Sequence, residues 1–170
     1  MLSSGNICVV ILWLSAVIIS MVSWADSTEK LNFGCPDQCH CYQERNIPIV
    51  MANCSMSFLT SDSLQLLPQK VFLLRLENSE LKELPWRFLK CNAALIALSL
   101  EYNQLELLPE DAFSNCIYLQ VLILNHNHLK ELPPNIFSSC TKLKGIVLNN
   151  NYLRELSSST FKRNTDLTAL

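Results

Sequence analysis

Four consecutive stretches of this chain carry the same spacing of leucines, asparagine, proline and phenylalanine. They begin at Val71, Leu95, Leu119 and Leu143, each 24 residues after the last. The second reads Leu95, Leu98, Leu100, Asn103, Leu105, Leu108, Pro109, Phe113, Cys116. The third matches it with Leu119, Leu122, Leu124, Asn127, Leu129, Leu132, Pro133, Phe137, Cys140. Leu143, Ile146, Leu148, Asn151, Leu153, Leu156 and Phe161 make the fourth; Val71, Leu74, Leu76, Leu81, Leu84, Pro85, Phe88 and Cys91 make the first. Leu167 and Leu170 open a fifth. A repeat of this length predicts a solenoid, in which each unit buries its apolar face only against its neighbours.

Within each unit the short alternating stretch is a strand signal. Leu98 and Leu100 point to one side, Ser99 and Glu101 to the other. Stacked copies place these strands side by side and parallel, about 4.8 Å apart. The rest of each unit must return along an outer face. The pairs Leu84-Pro85, Leu108-Pro109 and Leu132-Pro133 deny that limb a long helix. Phe88, Phe113, Phe137 and Phe161 are placed to close the core from the outer side. A crowded strand side and a bulkier outer side predict a curved stack.

Asn103, Asn127 and Asn151 stand where each strand ends. A buried amide is costly unless satisfied, so a column of them is expected to bond backbone groups of its own and neighbouring turns. The first copy has Ser79 instead, which predicts a weaker end of the ladder. Phe88 comes one residue early, and Ser157 replaces the proline of the other copies. Both mark local shifts in the outer loops.

This pattern resembles the leucine-rich repeat family, of the 24-residue kind found in extracellular proteins. The resemblance covers Val71 to Leu170. It implies an α/β solenoid with a curved parallel β-sheet on the concave face and short irregular or helical segments on the convex face.

The chain has no charged side chain before Asp26, and Ile7 to Val22 is apolar apart from two serines. Ser23-Trp24-Ala25 offers small residues at the positions used for cleavage before Asp26. Residues 1–25 therefore read as a secretory signal peptide, since the run is short for a membrane span of about 20 residues. An uncleaved anchor is the alternative. Cys8 falls in this segment.

Residues 26–34 read as a flexible lead and residues 35–70 as a cap over the open end of the stack. Cys35, Cys39, Cys41 and Cys54 form a disulfide framework suited to a secreted chain. A short cap with little core needs covalent staples. Spacing alone permits three pairings. The cluster also resembles the amino-terminal cysteine cap of extracellular leucine-rich repeat proteins, which implies bridges Cys35–Cys41 and Cys39–Cys54. A zinc site using His40 is the alternative, disfavoured by the secreted context. Asn53-Cys54-Ser55 is a glycosylation sequon. Cys91, Cys116 and Cys140 follow the repeat phenylalanines and read as buried free thiols.

The repeats divide as 71–94, 95–118, 119–142 and 143–166, with 167–170 starting a fifth. About 145 residues remain after the leader, the size of one domain. The abrupt stop after Leu170, without a carboxyl-terminal cap, reads as the amino-terminal part of a longer protein; the alternative is a short protein that dimerises through that end. Membrane attachment, if any, is expected from a region beyond Leu170.

A formal charge of −2 argues against a nucleic-acid partner. Three glycines in the whole chain leave no glycine-rich phosphate loop. The sequence holds neither G-x-S-x-G nor H-E-x-x-H, so the expectation is a non-enzyme without cofactor or metal.

The variable strand positions are the expected binding surface. Arg75, Glu77, Ser99, Glu101, Tyr102, Val121, Ile123, Asn125, His126, Val147 and Asn149 fall there by register. The column Leu73, Ala97, Val121, Gly145, with Ile123 and Val147 beside it, is expected as an exposed apolar strip. His126 and His128 flank Asn127 and read as solvated polar residues. Glu83, Glu131 and Glu155 recur beside Lys82, Lys130 and Arg154 as a solvated edge. The family resemblance implies an extracellular recognition module that binds a protein ligand, or one bearing glycan or lipid. One expected class is the ectodomain of a surface receptor or adhesion protein, similar to Toll-like receptors. The other is a secreted or matrix protein that binds growth factors or matrix components.

Overall fold

The computed structural model describes residues 28–30, 35–44, 50–57, 59, 61–68, 70–85, 88–89 and 92–170. The expected signal peptide and Cys91 lie outside these residues. The described strands are β1 (Thr28–Lys30), β2 (His40–Glu44), β3 (Val50–Asn53), β4 (Val71–Arg75), β5 (Ala97–Ser99), β6 (Val121–Ile123) and β7 (Gly145–Val147), with a helix α1 (Ser61–Gln65) between β3 and β4. They form a single sheet in chain order.

Pairing is antiparallel from β1 to β3 and parallel from β3 onward. Leu74, Leu98, Leu122 and Ile146 align across the parallel strands, as the 24-residue repeat requires. The ladder continues past β7, where Gly145 bridges Ala169 in parallel and Ile146 N donates to the Ala169 carbonyl. Residues 167–170 thus begin a fifth turn in register.

Thr28–Lys30 sits in the segment expected to be a flexible lead; it is β1 instead. Its pairing with β2 covers backbone donors and acceptors that an outer strand would otherwise leave open.

The inward side chains build one continuous core. Leu74, Leu76, Leu95, Leu100, Leu105, Leu119, Leu124, Leu129 and Leu143 are fully buried. On the outer side Phe113, Phe137 and Phe161 stack as a spine, with centroids 5.6 and 5.5 Å apart. Rings at those separations pack without voids, and each buried ring contributes large apolar area. Between strand and spine the chain turns without extended helix, consistent with Pro109 and Pro133 in the return limbs.

The cap closes the first turn through two disulfides, Cys35–Cys41 and Cys39–Cys54. These are the bridges implied by the family resemblance. Cys41 and Cys54 are fully buried in the same core as the leucines. The staples therefore link cap segments to one another at the point where the cap packs into the solenoid core.

Asparagines bind each turn to the one before. Asn103 Oδ1 accepts from the backbone N–H groups of Ser79 and Leu81, both at 3.0 Å. Its Nδ2 donates to the Leu76 carbonyl at 2.7 Å and the Leu100 carbonyl at 3.0 Å. Asn127 repeats this with Leu105 N–H and the Leu100 and Leu124 carbonyls. Asn151 does so with Leu129 N–H and the Leu124 and Leu148 carbonyls. At the first turn Ser79 is buried, and its hydroxyl reaches the Cys54 and Glu77 carbonyls. The serine tethers the ladder to the cap through Cys54.

A second polar column lies on the outer side. Cys116 and Cys140 are buried free thiols. The residues 24 positions away on either side are Asn92 and Asn164, both buried. Asn92 Nδ2 donates to the Val71 carbonyl at 2.9 Å, and Asn164 Nδ2 to the Phe137 and Cys140 carbonyls at 3.0 and 2.7 Å. Cys91 lies outside the described residues, and the position 24 residues before Cys116 is Asn92. The early Phe88 misleads, because counting three residues from it lands one short.

Candidate functional site: the concave sheet face

Side chains of β4–β7 that alternate with the buried leucines point to the concave side. Besides the column Leu73, Ala97, Val121, Gly145, they and the turn residues that follow fall into three rows of 24-residue spacing. The first is Arg75, Ser99, Ile123, Val147, aligned by strand register. Beyond it lies Glu77, Glu101, Asn125, Asn149, and then Asn78, Tyr102, His126, Asn150.

The third row has a backbone cause. Asn78, Tyr102, His126 and Asn150 all have positive φ, between 50° and 55°. This left-handed turn follows each strand and directs the chain toward the ladder asparagine. Asparagine tolerates it, whereas Tyr and His carry a cost of about 1 kcal/mol that the surrounding hydrogen bonds must offset. Tyr102 N–H donates to the Asn125 carbonyl and His126 N–H to the Asn149 carbonyl, so each turn is tied to the next strand. Met56 in the cap adopts the same turn and donates to Glu77 O.

The shared turn stacks the side chains. The Tyr102 and His126 rings lie 4.2 Å apart at 16°. Asn150 Nδ2 and His126 Nε2 are 2.8 Å apart. Tyr102 is 49% exposed. On the far side of the asparagine ladder His128 and Tyr152 form a second pair, 5.8 Å apart. The two histidines around Asn127 thus belong to separate stacks, and each meets an aromatic or amide partner from the adjacent turn. His126 is partly exposed and His128 exposed. The missed signal is their 24-residue offset from Tyr102 and Tyr152 in opposite directions.

The second row carries charge. Arg75 Nε and Nη2 donate to the two Glu77 carboxylate oxygens at 3.0 and 2.7 Å. That bond holds the guanidinium above its usual pKa, against the opposing effect of burial. Glu101 is bonded differently: Asn125 Nδ2 donates to its Oε1 at 2.6 Å.

The apolar strip is corrected in one respect. Ala97, Val121 and Ile123 form a small cluster with Leu73 and Val147 against it, but Ala97 is fully buried, Val121 6% exposed and Ile123 8% exposed. In-register strands press same-column side chains together, and the larger neighbours close over the smaller. The exposed handles on this face are Asn78, Tyr102, Asn149 and Asn150.

Outside the concave face, one charged pair links neighbouring repeats. Lys130 Nζ pairs with Glu106 at 2.7 Å, both well exposed. The pair holds the Glu106 carboxyl below its usual range but contributes little to stability in solvent. At the cap, Asn53 aligns with Arg75 in the sheet, and its Oδ1 accepts from Ser55 N–H at 3.0 Å. Among the described residues no cluster of His, Cys, Asp and Glu has the makings of a metal site. No helix among them is long and apolar enough to cross a membrane.

A family model described as leucine rich repeat matches residues 69–129 and 117–170. No curated protein sequence matches the chain. Among solved structures it is similar to the APL1 leucine-rich repeat domain, at 29% identity and a TM-score of 0.61, covering 66% of this chain and 30% of that one. It is also similar to a chain of the Toll–Spatzle complex from Drosophila, at 29% identity and a TM-score of 0.53, covering 56% of this chain and 13% of that one. The TLR13–ssRNA13 complex matches at 22% identity and a TM-score of 0.54, over 63% of this chain and 16% of that one, a likeness of fold. The chain spans between 13% and 30% of the length of these solved relatives.

Proposed function

The chain belongs to the leucine-rich repeat family, and on that premise we propose that it is an extracellular recognition module. Its partner is a protein, held on the concave face, and the module forms part of a cell-surface receptor or adhesion protein. The observation that carries this reading is the row of stacked, outward side chains Tyr102, His126 and Asn150 on a backbone fixed by ladder bonds. Such a surface loses little entropy on binding, and an exposed tyrosine offers area with a polar tip.

Two disulfides support an oxidising compartment. The likeness to Toll, whose structure was solved with Spatzle, supports a protein ligand. Nothing in the rows of Asn, Glu, Tyr and His converges into a nucleophile with its base, so binding is the chemistry this face supports.

Photo-cross-linking tests the reading. A benzophenone side chain placed at Asn149 is expected to cross-link the partner on cells, and the same group at Tyr118, in the turn that precedes β6, is not. Equal cross-linking from both positions overturns the concave assignment.

A further inference from the structure

Three polar groups on the second and third repeats stand together on the concave face, and two are incompletely satisfied. Ser99 is 1% exposed and Asn125 7% exposed. The Ser99 hydroxyl oxygen and Asn125 Oδ1 have no hydrogen-bond partner among the described residues. Buried polar atoms of this kind are few in a folded chain, and each carries a desolvation cost until a partner arrives. Ser99 and Glu101 lie two apart along the same face, and Asn125 is the equivalent of Glu101 on the next repeat.

Charge gives the sign of the missing partner. Glu77 already holds Arg75 through two bonds. Glu101 makes no such ion pair among the described residues; its Oε1 is oriented by Asn125 instead. Arg75 senses Glu101 only through space. The next residue, Tyr102, carries an exposed ring with His126 stacked on it.

We propose that Ser99, Glu101, Asn125 and Tyr102 form the seat for an arginine side chain of the protein partner. The inference rests on the concave-face reading and names the chemistry that face selects. The site presents acceptors, and a guanidinium is all donors: five N–H groups in a planar fork and no acceptor. Its fork matches a carboxylate, with N–H groups left for neighbouring oxygens. A cation beside the Tyr102 ring gains further attraction from the ring face. An ammonium group has fewer donors and no plane to lay on the ring. An anionic group would meet the Glu101 charge.

The test is a titration of the full chain, followed by ¹H–¹⁵N NMR, with acetyl-Gly-Arg-Gly-amide and with its neutral citrulline counterpart. The arginine peptide is expected to shift the Ser99, Glu101 and Asn125 signals, and citrulline to bind about tenfold more weakly. Glu101→Gln is expected to weaken the arginine peptide to the citrulline level while leaving signal dispersion unchanged. Equal binding of the two peptides, no shift at these residues with either, or an unchanged titration in Glu101→Gln overturns the arginine seat. The concave reading fails separately. If Tyr102→Ala and Asn149→Ala lose the cellular partner while Glu101→Gln keeps it, the seat is wrong and the reading stands. If none of the three loses it, the concave reading itself is wrong.

Discussion

Asn127 Oδ1 accepts a hydrogen bond from the backbone N–H of Leu105 at 3.1 Å, across 22 residues. The same amide donates to the Leu100 carbonyl at 2.9 Å. One side chain therefore clasps two points of the preceding turn. With Asn103 and Asn151 doing likewise, the leucines stay stacked because the turns between them are tied.

Removing that clasp strands backbone groups in a buried place. Asn127→Ala is expected to cost about 2–3 kcal/mol in urea unfolding, and Asn151→Ala, where the side chain is half-buried, about 1 kcal/mol. A loss under about 0.5 kcal/mol at Asn127 would show that the ladder contributes little.

The aromatic spine predicts a gradient along the solenoid. Phe137 is fully buried between Phe113 and Phe161, whereas Phe161 is only half-buried. Phe137→Ala should cost about 3–5 kcal/mol, more than Phe161→Ala. Chemical denaturation of the two variants side by side makes the comparison; equal losses would contradict the packing described.

Burial pushes the thiols of Cys116 and Cys140 up to about 12. They should resist iodoacetamide at pH 8 in the folded chain and react once it is unfolded. The raised pKa also gives a sign for stability. The folded state keeps these protons more tightly than the unfolded state, whose thiols ionise at their ordinary value of 9.0. Stability is therefore fully present below about pH 9 and is lost as pH rises from there toward 12. Cys116→Ala with Cys140→Ala should flatten that alkaline loss in thermal melts, and an unchanged slope would assign it to other groups.

The Cys39–Cys54 bridge closes a separation of 15 residues, against six for Cys35–Cys41. Cys54→Ser, paired with Cys39→Ser to avoid a stray thiol, is expected to lower stability by about 3 kcal/mol. The equivalent change at Cys35 and Cys41 should cost less. Reversed order in urea unfolding would mean that the smaller loop carries the cap.

Much of the architecture was legible because a solenoid repeats its physics. Leu98, Leu122 and Ile146 are equivalent in sequence and adjacent in space, so spacing alone aligned them. Register is harder to read where one residue is displaced: counting three from the early Phe88 lands on Cys91, whereas the 24-residue spacing from Cys116 lands on Asn92. The binding face was legible as a list of positions but not as a surface. Alternation marks Val121 and Ile123 as outward, yet whether an outward methyl is exposed depends on the bulk of its neighbours. Backbone conformation was hidden as well. Asn78 and Asn150 are natural residues for a left-handed turn, but Tyr102 and His126 are not, and only the repeat register places them there. Their stacking follows from that turn.

The central claim is that recognition takes place on the concave face. The most direct measurement is partner binding to cells by the full chain, titrated for wild type, for Tyr102→Ala with Asn149→Ala, and for Ile117→Ala with Tyr118→Ala in the turn that precedes β6. All four residues are exposed, so each double variant is expected to fold with an unchanged melting temperature. The account predicts at least about a tenfold loss for the concave pair and none for the turn pair. Full binding by the concave pair, with loss in the turn pair, would contradict it.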